Sequence, residues 1–304
     1  MSAGLLLMLL PLLLGYLLPP RGPRFEHAVG RLLELIVYLI LALMGASLAG
    51  LDDLGRQLGR IGLQAATLFV ILAVCNLAAL WLLVGRRGTS EQDASAFVPT
   101  SGLAASLGSS VMLLVAVAAG TVAGLLLPLL ADHAGSAAEA ALYLLLGLIG
   151  HQLRHADISL KRVLLNTLGV RIAIALVFSS LVAGAIAAPL LGLPVHQGMA
   201  LASGFGWYSL SGILISDQLG AFYGGIAFFN DLARELLAVL LLPLLIRHTP
   251  GTAIGYCGAT AMDVTLPLIR RAGGLSCVPV ALVSGFLLSA LAPPLMLTLL
   301  AFTV

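Results

Sequence analysis

The amino-acid sequence predicts an all-α polytopic membrane protein, with about eight spanning helices, two re-entrant or broken helices, and inverted repeats. Three observations carry that prediction. Of 304 residues, 60% are hydrophobic and 9% charged, with a mean hydropathy of +1.10. A soluble domain is about 25% charged and about 45–50% apolar, so water has too little polar surface to cover and lipid must cover the rest. Apolar runs recur at the length, about 20 residues, that spans a bilayer core of about 30 Å. Finally, nearly all charges sit at the ends of those runs. Soluble enzymes and secreted disulfide scaffolds are thereby excluded.

The first run, Leu5–Leu18, has no basic residue ahead of it. A signal peptide would carry a positive n-region and a small-residue cleavage site, so the run reads as a short retained helix. Further spans are expected at Leu32–Leu48, Ile61–Val84, Val111–Leu130, Ala137–Leu153 and Leu164–Leu190. Three less regular pieces follow at His196–Ser216, Gly225–Ile246 and Gly251–Leu268, and a last span at Ser276–Phe302. The polar stretch from Arg86 to Ser101, with Glu91 and Asp93, reads as a cytoplasmic linker.

Basic residues orient the spans, because cytoplasmic loops carry an excess of Lys and Arg. Arg21, Arg24 and Arg31 follow the first span, Arg86 and Arg87 the third, and Arg154, Lys161 and Arg162 the fifth. Balanced or acidic loops alternate with them, so both termini are expected outside, on the periplasmic face of a bacterial inner membrane. Arg247 with His248 and Arg270 with Arg271 should also be cytoplasmic. That requires His196–Ser216 and Gly251–Leu268 to enter from opposite sides without crossing. Their small, Gly-rich cores, Ser203 to Ser209 and Gly258 to Asp263, suit backbone that leaves the helix at membrane depth, which is tolerated only beside protein or a water cavity.

Internal repetition agrees. Residues Tyr38 to Leu48 resemble Tyr143 to Leu153, with Tyr, Gly and Leu in step, and Gly15 and Gly120 stand at the same offset. The expected organisation is a helical scaffold at 1–190, with inverted copies at 1–84 and 109–190 around a linker at 85–108, then a transport region at 191–304 made of two insertion-plus-helix units. Inverted repeats with broken helices meeting at the midplane are a transporter signature. Gly120 and Gly124 form a close-packing GxxxG pair.

Charge at depth is the expensive feature. A charged residue at a helix centre costs about 2.5–3.5 kcal/mol on insertion scales, yet Asp231, Arg234, Glu235 and Asp263 fall inside apolar segments. Asp231, Arg234 and Glu235 share one helix face at i, i+3 and i+4, and Asn230 joins through Arg234. Three carboxylates against one guanidinium leave the cluster net negative, inviting a cation or a proton. Burial disfavours the charged form of a carboxyl group and a bound cation favours it, so protonation and cation binding are coupled. A structural ion pair of Asp231 with Arg234 is the alternative for those two. Glu235 and Asp263 have no further basic partner at that depth and are the expected transport and proton-coupling residues. Ser203, Gly204, Gly206, Trp207, Tyr208, Ser209, Ser211 and Thr260 are candidates to line a substrate path, with ordinary packing, anchoring and helix–helix hydrogen bonding as the alternative. Asn76 and Arg171 read as packing or topology residues.

Other totals are restrictive. Net charge is +2, and Lys161 is the sole lysine, so no basic tract can track a phosphate backbone and no nucleic-acid partner is expected. Cys75, Cys257 and Cys277 lack CxxC spacing and read as small apolar residues. No metal and no cofactor is expected.

Three segments carry a family likeness: Ala202 to Gly212 (ASGFGWYSLSG), Ala227 to Glu235 (AFFNDLARE) and Cys257 to Asp263 (CGATAMD). With these motifs in this order, the chain resembles the LysO-type lysine exporter family of bacteria, most strongly from about Gly198 to Gly274. The resemblance implies a secondary transporter rather than an enzyme, exporting L-lysine and analogues such as thialysine, with essential acidic residues that map onto Glu235 and Asp263. Spans three and four and the linker match weakly, and no site residue is carried over there. Expected partners are L-lysine, protons and the lipid bilayer; a homodimer stays open. Moving a lysine cation against a negative-inside potential costs about 2.3 kcal/mol per 100 mV, which exchange for a proton would cancel, so the expected mechanism is proton antiport. Two alternatives remain at this level. A sodium-coupled carrier of another small organic ion fits the architecture. An intramembrane aspartyl protease using Asp231 and Asp263 would need a Gly-x-Gly-Asp pattern that both positions lack.

Overall fold

The computed structural model describes residues 10–11, 13–19, 22–51, 53–85, 100–155 and 166–301. Among them all regular structure is helical: α1 Pro23–Ala49, α2 Leu54–Leu83, α3 Thr100–Leu126, α4 Pro128–His155, α5 Thr167–Leu191, α6 Val195–Leu201, α7 Tyr208–Leu219, α8 Ala221–Leu245, α9 Pro250–Cys257, α10 Leu266–Gly273 and α11 Val278–Leu300. Short 3-10 turns lie at Ala202–Gly204, Gly258–Met262 and Leu275–Cys277. The chain is an all-α polytopic membrane protein. Four helices are long and apolar enough to cross a bilayer by length and composition, His27–Ala49, Leu54–Leu83, Thr167–Leu191 and Val278–Leu300, with Val111–Leu126 a shorter apolar stretch. Outward faces are apolar as well: Leu63, Leu82, Leu126 and Phe178 are all more than 60% exposed. Such surface is stable against hydrocarbon and costly against water.

Terminators explain the element ends. Proline stands at the start of α1, α9, α10 and α11, where its missing N–H is not needed. Asn166 caps α5 by accepting the Gly169 N–H at 2.9 Å, and Gly192 closes the same helix in the left-handed region at φ 69°.

Several boundaries differ from expectation. The helix starting at Pro128 takes in Asp132 to Ser136, which polarity had marked as a loop. At 28 residues, about 42 Å at 1.5 Å per residue, it outlasts a hydrocarbon core, so its polar first turns need not interrupt it. Helix α3 begins at Thr100, within the stretch expected to be linker. Leu5–Leu9 and Leu12 of the first expected span, Arg86–Pro99 of the expected linker, and Lys161 and Arg162 lie outside the described residues.

The chain clusters into two compact units, each built from separated pieces: 1–63, 111–159 and 209–228 in the first, and 64–110, 160–208 and 229–304 in the second. In the first unit α1 and α4 run antiparallel, with the Phe25 ring edge-on to His151 at 5.5 Å and Gly50 beside Ala131. A Cβ on Gly120 would strike the Ala42 carbonyl, and one on Gly124 would come within 2.8 Å of the Ala46 carbonyl, so the GxxxG pair is where α3 meets α1. Gly15 meets the Gly147 carbonyl in the same way. In the second unit α5 packs on α6 through Gly184 and Gly198, each facing the other's carbonyl. Buried Asn76 of α2 accepts from the hydroxyls of Ser179 and Ser180 on α5, at 2.7 and 3.2 Å.

Candidate functional site: two helix breaks beside a buried charge cluster

Both Gly-rich segments are broken helices, and both breaks belong to the second unit. The first falls after the 3-10 turn at Ala202–Gly204, where Phe205 (φ 52°) and Gly206 (φ 88°) are left-handed and the Trp207 N–H turns back to the Gly204 carbonyl at 2.9 Å. The second falls at Gly258 (φ 67°), which ends α9 and starts the Gly258–Met262 turn. Consecutive left-handed residues cannot continue a right-handed helix, and glycine makes the conformation affordable at two of the three positions. The breaks touch. The Ala259 N–H donates to the Phe205 carbonyl at 3.0 Å, and Gly206 faces the Cys257 carbonyl.

Helix α8 supplies the charge. Among the described residues, Asp231, Arg234 and Glu235 are the buried charged side chains, 1%, 3% and 4% exposed. Asp231 Oδ1 accepts the Gly206 N–H at 3.1 Å and the Asn230 side-chain amide at 3.3 Å. Arg234 Nη2 donates to the Tyr256 carbonyl at 3.3 Å, and its guanidinium carbon lies 5.6 Å from the centre of the Tyr256 ring. Glu235 Oε2 has no hydrogen-bond partner among the described residues, nor do Asn230 Oδ1, Arg234 Nε, Thr252 Oγ1 and the Tyr256 hydroxyl. A buried polar atom left unpaired costs about 1–3 kcal/mol, so these atoms of α8 and α9 are the ones a hydrogen-bonding ligand would stabilise.

Asp263 stands at the end of the second helix break, inside the segment where it was expected. It follows the second 3-10 turn, its side chain is exposed, and its Oδ1 accepts the Val264 N–H at 2.6 Å. The carboxyl groups of Asp263 and Asp231 nevertheless lie within electrostatic reach of Glu235.

The softer candidates divide. Ser203 and Thr260 are buried and spend their hydroxyl donors on local carbonyls, Met199 at 2.7 Å and Cys257 at 2.8 Å. Gly204 and Gly206 shape the first break, and Trp207 and Tyr208 are half-buried beside it. Ser209 and Ser211 are buried and belong to the first unit. Arg171 is exposed near the start of α5. Tyr256 and Thr252 were not singled out from the sequence; their i, i+4 spacing in an otherwise apolar helix was the available signal. In the first unit a cavity of about 50 Å³ lies among Met44, Ser47, Ala138, Ile213 and Asp217, and Gln218 already donates to Asp217 at 2.6 Å. All three cysteines are free thiols, and among the described residues no group of three His, Cys, Asp or Glu is placed to hold a metal ion.

Touching broken helices and a buried charged turn in a helical membrane protein are features shared with membrane transport proteins. A family model described as lysine exporter LysO matches residues 114–300. Over 296 residues the chain is 46% identical to lysine exporter LysO of Escherichia coli (strain K12), covering 96% of this chain and 97% of that protein. It is also 48% identical over 159 residues to a Haemophilus influenzae protein named as a candidate lysine exporter, covering 51% of this chain and 81% of that one. The chain belongs to the LysO lysine exporter family. No solved structure matches it.

Proposed function

We propose that this protein exports L-lysine across the bacterial inner membrane in exchange for protons, with Glu235 and Asp263 alternately holding a proton or the lysine ammonium. One observation carries the site assignment. Glu235 is 4% exposed and keeps an unpartnered carboxylate oxygen within electrostatic reach of a second, exposed carboxylate, that of Asp263. A buried anion without a cationic partner is stable only when protonated or cation-bound, which is the property an antiporter needs. Family membership supplies the substrate, and thialysine, which keeps the ammonium and the chain length, is expected to compete.

The topology follows the same reading. Both termini lie outside, the two broken helices enter from opposite faces, and residues 191–304 form the transport region beside a scaffold at 1–190. Inverted copies at 1–84 and 109–190 are supported by paired contacts. Gly15 meets Gly147, while Gly120, the counterpart of Gly15, meets Ala42, the counterpart of Gly147. A two-fold relation between copies generates such swapped pairs.

The test is counterflow in proteoliposomes, with lysine and pH followed together. Wild-type protein should drive lysine uphill on an imposed pH gradient, and Glu235→Gln and Asp263→Asn should abolish it at normal abundance. Retained exchange in both variants would refute the assignment, and uphill flux that requires sodium would replace the proton as coupling ion.

A further inference from the structure

We infer that Asp231 and Arg234 are positioning residues that staple the two helix breaks to α8, and that Asp231 is neither a proton nor a cation carrier. One turn of α8 presents opposite polarities to two different breaks. Asp231 accepts the Gly206 N–H from the first, and Arg234 donates to the Tyr256 carbonyl at the second. Both backbone groups sit where the helix ladder fails, so each needs a partner from elsewhere. A carboxylate only accepts and a guanidinium only donates, which fixes which residue serves which break.

The surrounding packing is built for this contact. A Cβ on Gly258 would strike the Phe205 carbonyl and come within 2.7 Å of Arg234 Nη2, so the guanidinium reaches its carbonyl because position 258 carries no side chain. The direct Ala259-to-Phe205 hydrogen bond closes the same arrangement from the backbone side. Asn230 donates to the oxygen of Asp231 that Gly206 also uses, which holds the carboxylate in place. Glu235 follows Arg234 in the same helix, so pinning the rotation of α8 at two points orients its carboxylate.

An asparagine at position 231 keeps the accepting oxygen and loses the charge, whereas alanine loses both. The full-length protein is purified as wild type, D231N, D231A and R234M, then compared for thermal unfolding in detergent without substrate and for lysine efflux after reconstitution. D231N should unfold near the wild-type midpoint and retain efflux. D231A and R234M should unfold earlier and lose about tenfold or more in efflux at equal abundance, in line with hydrogen bonds to charged groups. If D231N is as inactive as D231A, the charge of Asp231 takes part in transport and the inference is overturned. Equal unfolding midpoints for wild type, D231N and D231A would overturn it as well. The efflux comparison rests on the proposed lysine export; should the wild type move no lysine, that function fails while the unfolding comparison still decides the staple.

Discussion

Glu235 and Asp263 share a charge type and little else. Glu235 is enclosed and unpaired, whereas Asp263 is exposed and hydrogen-bonded to the Val264 amide. A cysteine placed at 263 should therefore react with a water-soluble maleimide, and one at 235 should not until substrate or pH gradient is applied. Equal labelling at rest would contradict the geometry. The native thiols interfere little, since Cys257 and Cys277 are buried and Cys75 is half-buried. Asn76 makes a second residue-scale case, because it serves two serines at once. A double-mutant cycle of Asn76→Ala with Ser179→Ala should give a coupling of about 0.6 kcal/mol, at most about 1.7, as found for polar contacts between membrane helices. Unfolding midpoints in detergent would measure it. The chemistry at this scale was legible where charge stood in an apolar run, as at Asp231, Arg234 and Glu235. Tyr256 was not, because an aromatic residue in an apolar helix gives no sign that its carbonyl will meet an arginine.

Helix breaks and helix contacts belong to the next scale. The Gly-rich stretches around Ser203 and Gly258 were readable as broken helices because glycine lacks the Cβ that excludes positive φ. Helix length was harder to read, as the start of α4 shows: Asp132 and His133 look like a loop, yet they sit on a helix running past the apolar layer, with His133 Nδ1 3.0 Å from the Leu129 carbonyl. Close contacts were hidden too. Gly198 and Gly59 are both glycines in helices, but a Cβ on Gly198 would come within 2.5 Å of the Gly184 carbonyl, whereas one on Gly59 meets open space. Backbone gives way less readily than a side chain, so Gly198→Ala should cut the yield of folded protein. Gly59→Ala should be neutral or stabilising by up to about 1 kcal/mol from helix propensity. Fluorescence-detected size-exclusion of the two variants would compare them directly.

Across the whole molecule, the swapped contacts of Gly15 and Gly120 make a prediction about symmetry. If residues 1–84 and 109–190 are inverted copies, Gly15→Val and Gly120→Val should lower abundance and export to a similar degree, since each drives a side chain into the equivalent carbonyl of the other copy. Export abolished by one and untouched by the other would argue against the relation. Composition alone determined the solvent of this protein, because 9% charge cannot hydrate such a surface, and it located the charged turn of α8 by the cost of placing it there. Neither composition nor spacing could say that Asp231 and Arg234 reach two different breaks, or that Glu235 is enclosed while Asp263 is exposed. Those facts depend on contacts between Gly206, Tyr256 and α8 that lie far apart along the chain. Local pattern records which groups are costly to bury; only the packed chain decides which of them are given a partner.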